Sequence, residues 1–203
     1  MIRKVVSTEL LAHLDRHKEW ASSAGRLGAQ LYLEDVDLTD IDLKEANLVE
    51  AQLPGSILDG VSLEKADVFS ANLCSASLKK ANLTAALLNK AAFDYASLEG
   101  AMMPSVHAIR ASFVEADLRG VDLRGANLQG ADLTGANLLG ANLQDADLGA
   151  ARLDMAILGD TDLRGVRGIE AIQADSIRIL EEGRFVTLDA AAAAEWLKGH
   201  STR

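Results

Sequence analysis

An apolar residue stands at every fifth position from residue 33 to residue 163, in one unbroken register of 27 repeats. The residue two before this centre is Ala in 19 repeats. A sustained internal repeat determines the fold, because each unit packs against copies of itself. The centre is Leu in 22 repeats, and the other five are Val68, Phe93, Met103, Ala108 and Phe113.

A period of five residues fits neither an α-helix nor a straight strand. On a helix, five residues turn through about 500°, so the centres would be scattered around the cylinder. On a strand, an odd period places successive centres on opposite faces. Both conflicts disappear if the chain turns a corner in each repeat, with the centre and the residue two before it directed inward. The other three positions then face outward.

Turn-forming residues occupy the positions where such corners are expected. The residue before the centre is Asp or Asn in 14 repeats, and these side chains bond to nearby backbone amides in turns. Glycine follows two residues after the centre in five successive repeats, where a corner can require positive φ. These glycines are Gly120, Gly125, Gly130, Gly135 and Gly140.

The pattern A(D/N)LxG, as in residues 126–130, resembles the pentapeptide-repeat family over about two thirds of the chain. The resemblance implies an all-β fold, a right-handed quadrilateral β-helix (solenoid) with four repeats in each coil. The 27 repeats would then make about seven coils, and at about 4.8 Å per coil the rod would be roughly 32 Å long.

Four repeats per coil place residues 20 apart above one another. Phe93 and Phe113 are separated by 20 positions, so we expect their rings to be in contact inside the core. The predicted structural core along this side consists of Leu33, Leu53, Leu73, Phe93, Phe113, Leu133 and Leu153. Residues 102–110 match the repeat pattern least well, because the centre at position 108 is the small residue Ala. A bulge or bent coil is expected there, since the core would not be filled at that point.

A solenoid needs caps, because both of its ends expose unpaired strand edges. The chain divides into an N-terminal helical cap (1–30), the repeat β-helix (31–165) and a C-terminal hairpin and helix cap (166–203). The first cap is predicted to contain a helix over residues 8–23, with Ser7 or Thr8 as N-cap and Gly25 as stop. Its side chains over the first coil would be Leu10, Leu11, Leu14 and Trp20.

The C-terminal cap begins with a predicted hairpin of residues 176–180 and 184–188. Asp189 then caps a helix that continues through Lys198. One interpretation is a lid over the last coil. The other is a homodimer interface, because some topoisomerase-binding members of the family pair through their C-terminal ends. The contacts in either case would come from Phe185, Leu188, Trp196 and Leu197.

Negative charge is concentrated in the repeats. The net formal charge is −10 for the chain, +2 for residues 1–30, −11 for residues 31–165 and −1 for the remainder. Such a surface repels nucleic acid and anionic lipid and attracts basic protein surfaces, although it also serves simple solubility. The densest group is a candidate partner-binding acidic face of Glu34, Asp35, Asp37, Asp40, Asp42, Glu45 and Glu50.

No residue pattern indicates catalysis, a metal or a cofactor. His13 and His17 are four residues apart on the predicted helix, but we expect them on a solvated face. Cys74 follows a centre, should point outward and excludes an intramolecular disulfide, which suits a reducing compartment. A tube filled by leucines has no cavity for a substrate. We therefore predict no enzyme, and a cytoplasmic protein of bacterial type.

Two functions are consistent with these features. The first is a non-catalytic scaffold or protein-interaction module, as a monomer or a C-terminally paired homodimer, without direct contact to nucleic acid or membrane. The second is an acidic DNA mimic that binds a DNA-binding enzyme, because the resemblance includes proteins that protect DNA gyrase from quinolones. Duplex DNA of this length carries roughly 19 charges, at one per ~1.7 Å, whereas the repeats carry a net −11.

Overall fold

The computed structural model describes residues 3–4 and 7–201 of the chain. Its helices and longer strands lie near the two ends, and single β-bridges join the repeats between them. The elements in chain order are β1 (Arg3–Lys4), α1 (Ser7–Ser22), β2 (Val36–Asp37), β3 (Ala156–Ile157), a 3-10 helix (Ile169–Ala171), β4 (Ser176–Glu181), β5 (Arg184–Asp189) and α2 (Ala190–Ser201).

The repeats stack on one another with a period of 20 residues. Residues just before the centres form parallel bridges with residues 20 positions later, as between Asn72 and Ala92. Leu73 N–H donates to the Ala92 carbonyl at 2.7 Å, and Ala92 N–H donates to the Ala71 carbonyl at 2.9 Å. Four repeats thus bring the chain back above itself. We name the four sides by their first centres, as the Leu33, Leu38, Leu43 and Leu48 sides.

The corners between sides are made of backbone in the left-handed region. The residue two after the centre has positive φ in 26 of the 27 repeats, and only nine of these residues are Gly. The next amide closes each turn, as where Ala86 N–H donates to the Leu83 carbonyl at 3.0 Å. Residues other than glycine adopt the same positive φ, including Ala85 (φ 54°) and Tyr95 (φ 60°). Each non-glycine corner costs about 1–2 kcal/mol, which the continuous hydrogen-bond ladder offsets.

The centres fill the interior. All 27 are at most 6% exposed, and the seven predicted core residues of the Leu33 side are buried without exception. Phe93 and Phe113 stack with ring centroids 5.2 Å apart and an angle of 8° between the planes. The predicted contact between these two rings is therefore confirmed, and the side chains along this column form one continuous core.

The predicted bulge at residues 102–110 is wrong. Met102 and His107 each bridge to the residues 20 before and 20 after them, so the stacking continues through this segment without a slip. Ala108 is fully buried, and its N–H donates to the Asn127 carbonyl at 2.8 Å. The backbone ladder fixes the path of the chain whatever the size of the centre, so a small residue does not bend it.

The N-terminal cap consists of α1 and a short parallel pairing of β1 with β2, in which Arg3 is opposite Val36. Leu10 is buried, whereas Leu11 is 58% exposed. The expectation that Leu11 covers the first coil is therefore wrong, because neighbouring residues lie about 100° apart around a helix. Positive φ at Ala24 and Gly25 ends the helical segment, and Gly25 N–H donates to the Trp20 carbonyl at 2.8 Å.

The stacking continues beyond the last repeat with one added residue. Asp147 bridges to Arg167 at the usual spacing of 20, but Arg152 bridges to Gln173, which is 21 positions later. The 3-10 helix lies between these two bridges and takes up the extra residue. β3 then pairs in parallel with β4, so the C-terminal segment lies directly on the final coil.

β4 and β5 form the predicted hairpin. They are antiparallel, with Glu181 opposite Arg184 and positive φ at both turn residues, Glu182 and Gly183. Asp189 Oδ1 accepts a hydrogen bond from Ala192 N–H at 3.0 Å, which is the predicted cap of α2. The helix ends at Ser201, three residues after the predicted end. Among the described residues, no helix is long and apolar enough to cross a bilayer.

Candidate interaction surfaces

Outward-facing Asp and Asn residues hold the wall of the repeats in shape. The side chain before a centre accepts a hydrogen bond from the amide after that centre, as Asn72 Oδ1 does from Cys74 N–H at 3.0 Å. Two residues of the predicted acidic face do the same: Asp37 accepts from Thr39 N–H and Asp42 from Lys44 N–H, both at 3.0 Å. Part of the negative charge therefore serves the turns.

The seven acidic residues of the first coil surround the rod and do not form one face. A coil of 20 residues passes over all four sides, so residues 34–50 extend around nearly the whole circumference. Two of the seven lie on each of the first three sides, and Glu50 lies on the fourth. A flat partner surface would therefore contact only two or three of them at once.

Carboxylates are in largest excess on the Leu33 side. This side carries six carboxylates and one guanidinium, that of Arg152, which pairs with Asp132 at 2.9 Å. The Leu48 side has only three carboxylates, together with Lys90 and Arg110. The carboxylates of the Leu33 side are Glu34, Asp35, Asp94, Glu115, Asp132 and Asp154.

Three Arg side chains donate hydrogen bonds to both carboxylate oxygens of the Asp two residues before them. Arg119 Nε and Nη2 donate to Asp117 at 2.8 and 2.6 Å, and the pairs Asp122–Arg124 and Asp162–Arg164 have the same geometry. Each arginine lowers the pKa of its aspartate by donating to the ionised carboxylate. These exposed ion pairs neutralise three carboxylates, so these three contribute little to the negative potential at the surface that a partner would contact.

His17 lies beneath the N-terminal helix and is fully buried, so its predicted place on a solvated face is wrong. Its Nδ1 accepts a hydrogen bond from Leu31 N–H at 2.9 Å, and its ring stacks on Trp20 with centroids 5.6 Å apart. The acceptor role of Nδ1 requires a neutral imidazole with its proton on Nε2. The described residues contain no cluster of three or more His, Cys, Asp or Glu that could bind a metal.

Cys74 is half-buried on the Leu33 side. Burial raises the pKa of its thiol, and the nearby Asp94 carboxylate acts in the same direction. The nucleophilic thiolate is therefore disfavoured at neutral pH, and we assign Cys74 no chemical role.

The four predicted C-terminal contact residues are divided between two surroundings. Leu197 is buried in the cap, and Trp196 and Leu188 are half-buried against the same core. Phe185 on β5 is 50% exposed, with the Arg178 guanidinium 5.0 Å from its ring centroid. Leu197 thus packs within the C-terminal cap, while Phe185 remains accessible on the outer strand of the hairpin.

The family model of pentapeptide repeats matches residues 32–68, 69–103 and 111–149, which is more than half of the chain. The chain belongs to the pentapeptide-repeat family. Proteins of this family are right-handed β-helices and are generally non-enzymatic structural or interaction modules. No curated protein has a significant sequence match to this pentapeptide-repeat protein.

Several solved structures are similar to this pentapeptide-repeat protein. A pentapeptide-repeat protein from the thylakoid lumen of Arabidopsis thaliana is 30% identical to this chain, with a TM-score of 0.41. The similarity covers 42% of this chain and 59% of the Arabidopsis chain. HetL of Nostoc sp. strain PCC 7120, involved in heterocyst differentiation regulation, is 27% identical over 90% of this chain and 100% of its own (TM-score 0.32). QnrB1, a plasmid-mediated fluoroquinolone resistance protein, is 16% identical over 86% of this chain and 98% of its own (TM-score 0.43).

One surface of this pentapeptide-repeat protein was missed by the sequence analysis. Residues 81–92 and 101–112 contain no Asp or Glu, and they stack on each other because they are 20 positions apart. We call the outward-facing residues of 82–90 and 102–110 the acid-free patch. Counting carboxylates with a period of 20, rather than along the sequence, would have located it.

The N-terminal cap is expected to weaken as the pH falls below about 6.5. Burial lowers the pKa of His17, and only the neutral ring can accept from Leu31 N–H. The unfolded chain therefore binds more protons than the folded chain below pH 6.5, so stability falls by up to about 1.4 kcal/mol per pH unit. Denaturation at pH 7.5 and pH 5 should show this loss in the wild type and a smaller one in His17→Gln, whose Oε1 can accept the same bond. An equal loss of stability in both proteins would contradict the assignment of the neutral His17 ring as the group whose protonation weakens the cap.

Proposed function

We propose that this pentapeptide-repeat protein is a non-catalytic scaffold that binds other proteins through the outer wall of its repeats. We further propose that the 27 repeats form about seven coils of a right-handed quadrilateral solenoid, and that the protein acts in the cytoplasm. The observation that carries the proposal is the contrast between a filled interior and a regular exterior. The centres are at most 6% exposed, so a partner can meet only the three outward positions of each repeat.

The hydrogen-bond ladder makes this wall suitable for binding. Each coil is bonded to the next through its backbone, and Asp and Asn side chains fix the turns. A surface that is already ordered loses little conformational entropy when it binds. Rigid columns of side chains are therefore an efficient interface even without a pocket.

The proposal is tested by affinity capture from the cells that produce the protein. The bait is the wild-type chain, compared with a variant in which Glu45 and Glu50 at first-coil corners are replaced by Lys. We expect a partner that is retained in stoichiometric amount and binds again after purification. The salt dependence of that binding measures the electrostatic contribution. Failure to retain any partner at micromolar bait, with native cell extract, would contradict the scaffold function.

The second candidate function is mimicry of DNA towards an enzyme such as DNA gyrase. The carboxylate excess on the Leu33 side, six against one, favours it. The Asp–Arg pairs weigh against it, because they neutralise carboxylates on two other sides. The net charge of −11 over the repeats is also below the roughly 19 phosphates of a duplex of equal length.

We expect DNA gyrase to supercoil DNA at an unchanged rate when this protein is added in ten-fold molar excess, with or without a quinolone. The reason is that its outer charge is both smaller and less regular than that of a phosphate backbone. The assay is the conversion of relaxed plasmid to its supercoiled form on a gel. Inhibition of supercoiling, or protection from the quinolone, would instead support the mimic.

The oligomeric state remains a prediction with two alternatives, a monomer or a C-terminally paired homodimer. The buried Leu197 supports a lid, while the exposed ring of Phe185 is available to a second chain. Light scattering at micromolar concentration distinguishes the two masses.

A further inference from the structure

The acid-free patch combines exposed apolar side chains with two cations and contains no carboxylate. Two side chains of the patch are large, apolar and accessible, with Leu87 39% and Met102 47% exposed. They lie on the Leu48 and Leu43 sides, and the bridges Asn82–Met102 and Leu87–His107 hold the two coils together here. Leu87 and Met102 thus lie on adjacent sides of successive coils, where exposed apolar side chains are candidate contact points for another molecule.

Two cations accompany this apolar surface. Lys90 and Arg110 occupy the same corner on successive coils, and both are exposed. Within the part of the chain that the structure describes, neither one forms an ion pair with a carboxylate. Lys90 Nζ lies 5.4 Å from the ring centroid of Phe69, on the coil before, so the cation lies above apolar surface.

The local order of the patch is high. Asn89 Oδ1 accepts a hydrogen bond from Ile109 N–H at 2.9 Å, across the two coils, and Lys90 N–H donates to the Ile109 carbonyl at 3.0 Å. The apolar and basic side chains therefore project from backbone that needs no rearrangement. A ligand would find them already in place.

We propose that the acid-free patch binds a short segment of a partner protein that combines apolar side chains with one or more carboxylates. The apolar side chains would cover Leu87 and Met102, and the carboxylates would pair with Lys90 and Arg110. This inference rests on the scaffold function and assigns it a surface and a partner chemistry.

Charge complementarity selects this occupant. The patch carries two positive charges, whereas the chain as a whole carries a net −10. A second copy of the chain would bring a further −10 close to the first, and this repulsion opposes docking. A short acidic segment brings only a few charges, and these lie against two stacked segments that carry Lys90 and Arg110 and no carboxylate.

The patch can be altered without changing the fold, because the repeats themselves supply acceptable substitutes. Ser already occupies the same repeat position as Leu87 and Met102 at Ser77, Ser97 and Ser112. The test variants are therefore Leu87→Ser with Met102→Ser, and Lys90→Gln with Arg110→Gln. The matched controls are Tyr95→Ser, which removes an exposed ring elsewhere, and Lys80→Gln, which removes a cation at the equivalent corner of another side.

The probe is a library of random 12-residue peptides displayed on phage and selected on the wild-type chain. We expect enriched peptides to contain apolar residues together with Asp or Glu. As synthetic peptides in fluorescence anisotropy, they should bind each double variant at least ten-fold more weakly than the wild type. The two control variants should retain wild-type affinity, and added salt should weaken binding.

The remaining outcomes separate the patch from the scaffold function. Enriched peptides that are basic, or that bind both double variants with unchanged affinity, would overturn the patch and leave the scaffold function standing. Selection of no peptide at all would also overturn the patch, whereas the scaffold function is decided by the affinity capture described above. A wild-type dimer that becomes a monomer in Leu87→Ser with Met102→Ser would assign the patch to a second copy and overturn the partner proposed here.

Discussion

Replacing Leu88 by Ala is expected to reduce the free energy of unfolding by about 2–5 kcal/mol, whereas replacing its neighbour Leu87 by Ala changes it by less than about 0.5 kcal/mol. Leu88 is a fully buried centre, and Leu87 is 39% exposed on the outer wall. The substitution is chemically identical at the two positions, so the difference isolates the direction of the side chain. It measures directly the inward and outward alternation on which the repeat depends.

We expect the cost at Leu88 to lie in the upper part of this range. Leu88 stacks between Val68 and Ala108 in one column, since the three are separated by 20 residues. Leu88→Ala places two alanines in succession, so little side chain remains to fill the space. The loss from a large-to-small substitution grows with the volume of the cavity that it leaves.

Urea denaturation followed by circular dichroism provides the measurement for both variants. Stacked repeats interact mainly with their neighbours, so a second spectroscopic probe must show that the transition is cooperative. Equal losses for Leu87→Ala and Leu88→Ala would show that the two side chains have similar surroundings, and would contradict the assignment of an inward and an outward leucine.

The repeat region could be predicted in detail because its information is local. A centre every five residues specifies which side chains face inward, and the Phe93–Phe113 contact follows from their spacing once the family resemblance supplies four repeats per coil. The corners were less visible in the sequence, since 17 non-glycine residues adopt positive φ there. The strength of the hydrogen-bond ladder, rather than the preference of each residue, imposes that conformation.

The N-terminal cap was harder to predict, because its burial depends on how the helix docks. Leu10, Leu14 and His17 follow the spacing i, i+4 and i+7, which marks one face of a helix. That face meets the first coil, so His17 is buried between Leu31 and Trp20. A histidine within an apolar stripe is the sequence signal for this burial, and it outweighs the charged neighbours that predict a solvated face.

The acidic first coil illustrates a different limit. Seven carboxylates within residues 34–50 look like one cluster in the sequence. The chain turns four corners between these residues, so carboxylates that are close in sequence lie on different sides of the repeats. The reverse holds for Lys90 and Arg110, which are distant in sequence and adjacent in space. Groups on the surface of such a chain are therefore found by comparing residues that are 20 positions apart.

Gly28→Ala is expected to destabilise the N-terminal cap by about 2–4 kcal/mol. Gly28 has φ of +71°, and a Cβ there would lie 2.1 Å from the Arg16 carbonyl oxygen and 2.8 Å from Trp20 N. Both atoms belong to the backbone of α1 and cannot rotate away. The loop after the helix, or the helix itself, must therefore move off the first coil.

Gly60→Ala is the matched control for this substitution. Gly60 has φ of +69°, but a Cβ there meets nothing within 4 Å. Both variants incur the cost of a left-handed alanine, about 1–2 kcal/mol, so the difference between them reports the collision alone. Hydrogen exchange of residues 7–31 should accelerate in Gly28→Ala and stay unchanged in Gly60→Ala.

Loss of the cap should also alter association. The first coil would then present an uncovered strand edge, which is a template for pairing with another chain. We expect Gly28→Ala to form larger species in sedimentation velocity as its concentration rises, while Gly60→Ala sediments like the wild type. If Gly28→Ala retained wild-type exchange and mass, the close approach of this loop to α1 would not be what holds the helix over the first coil.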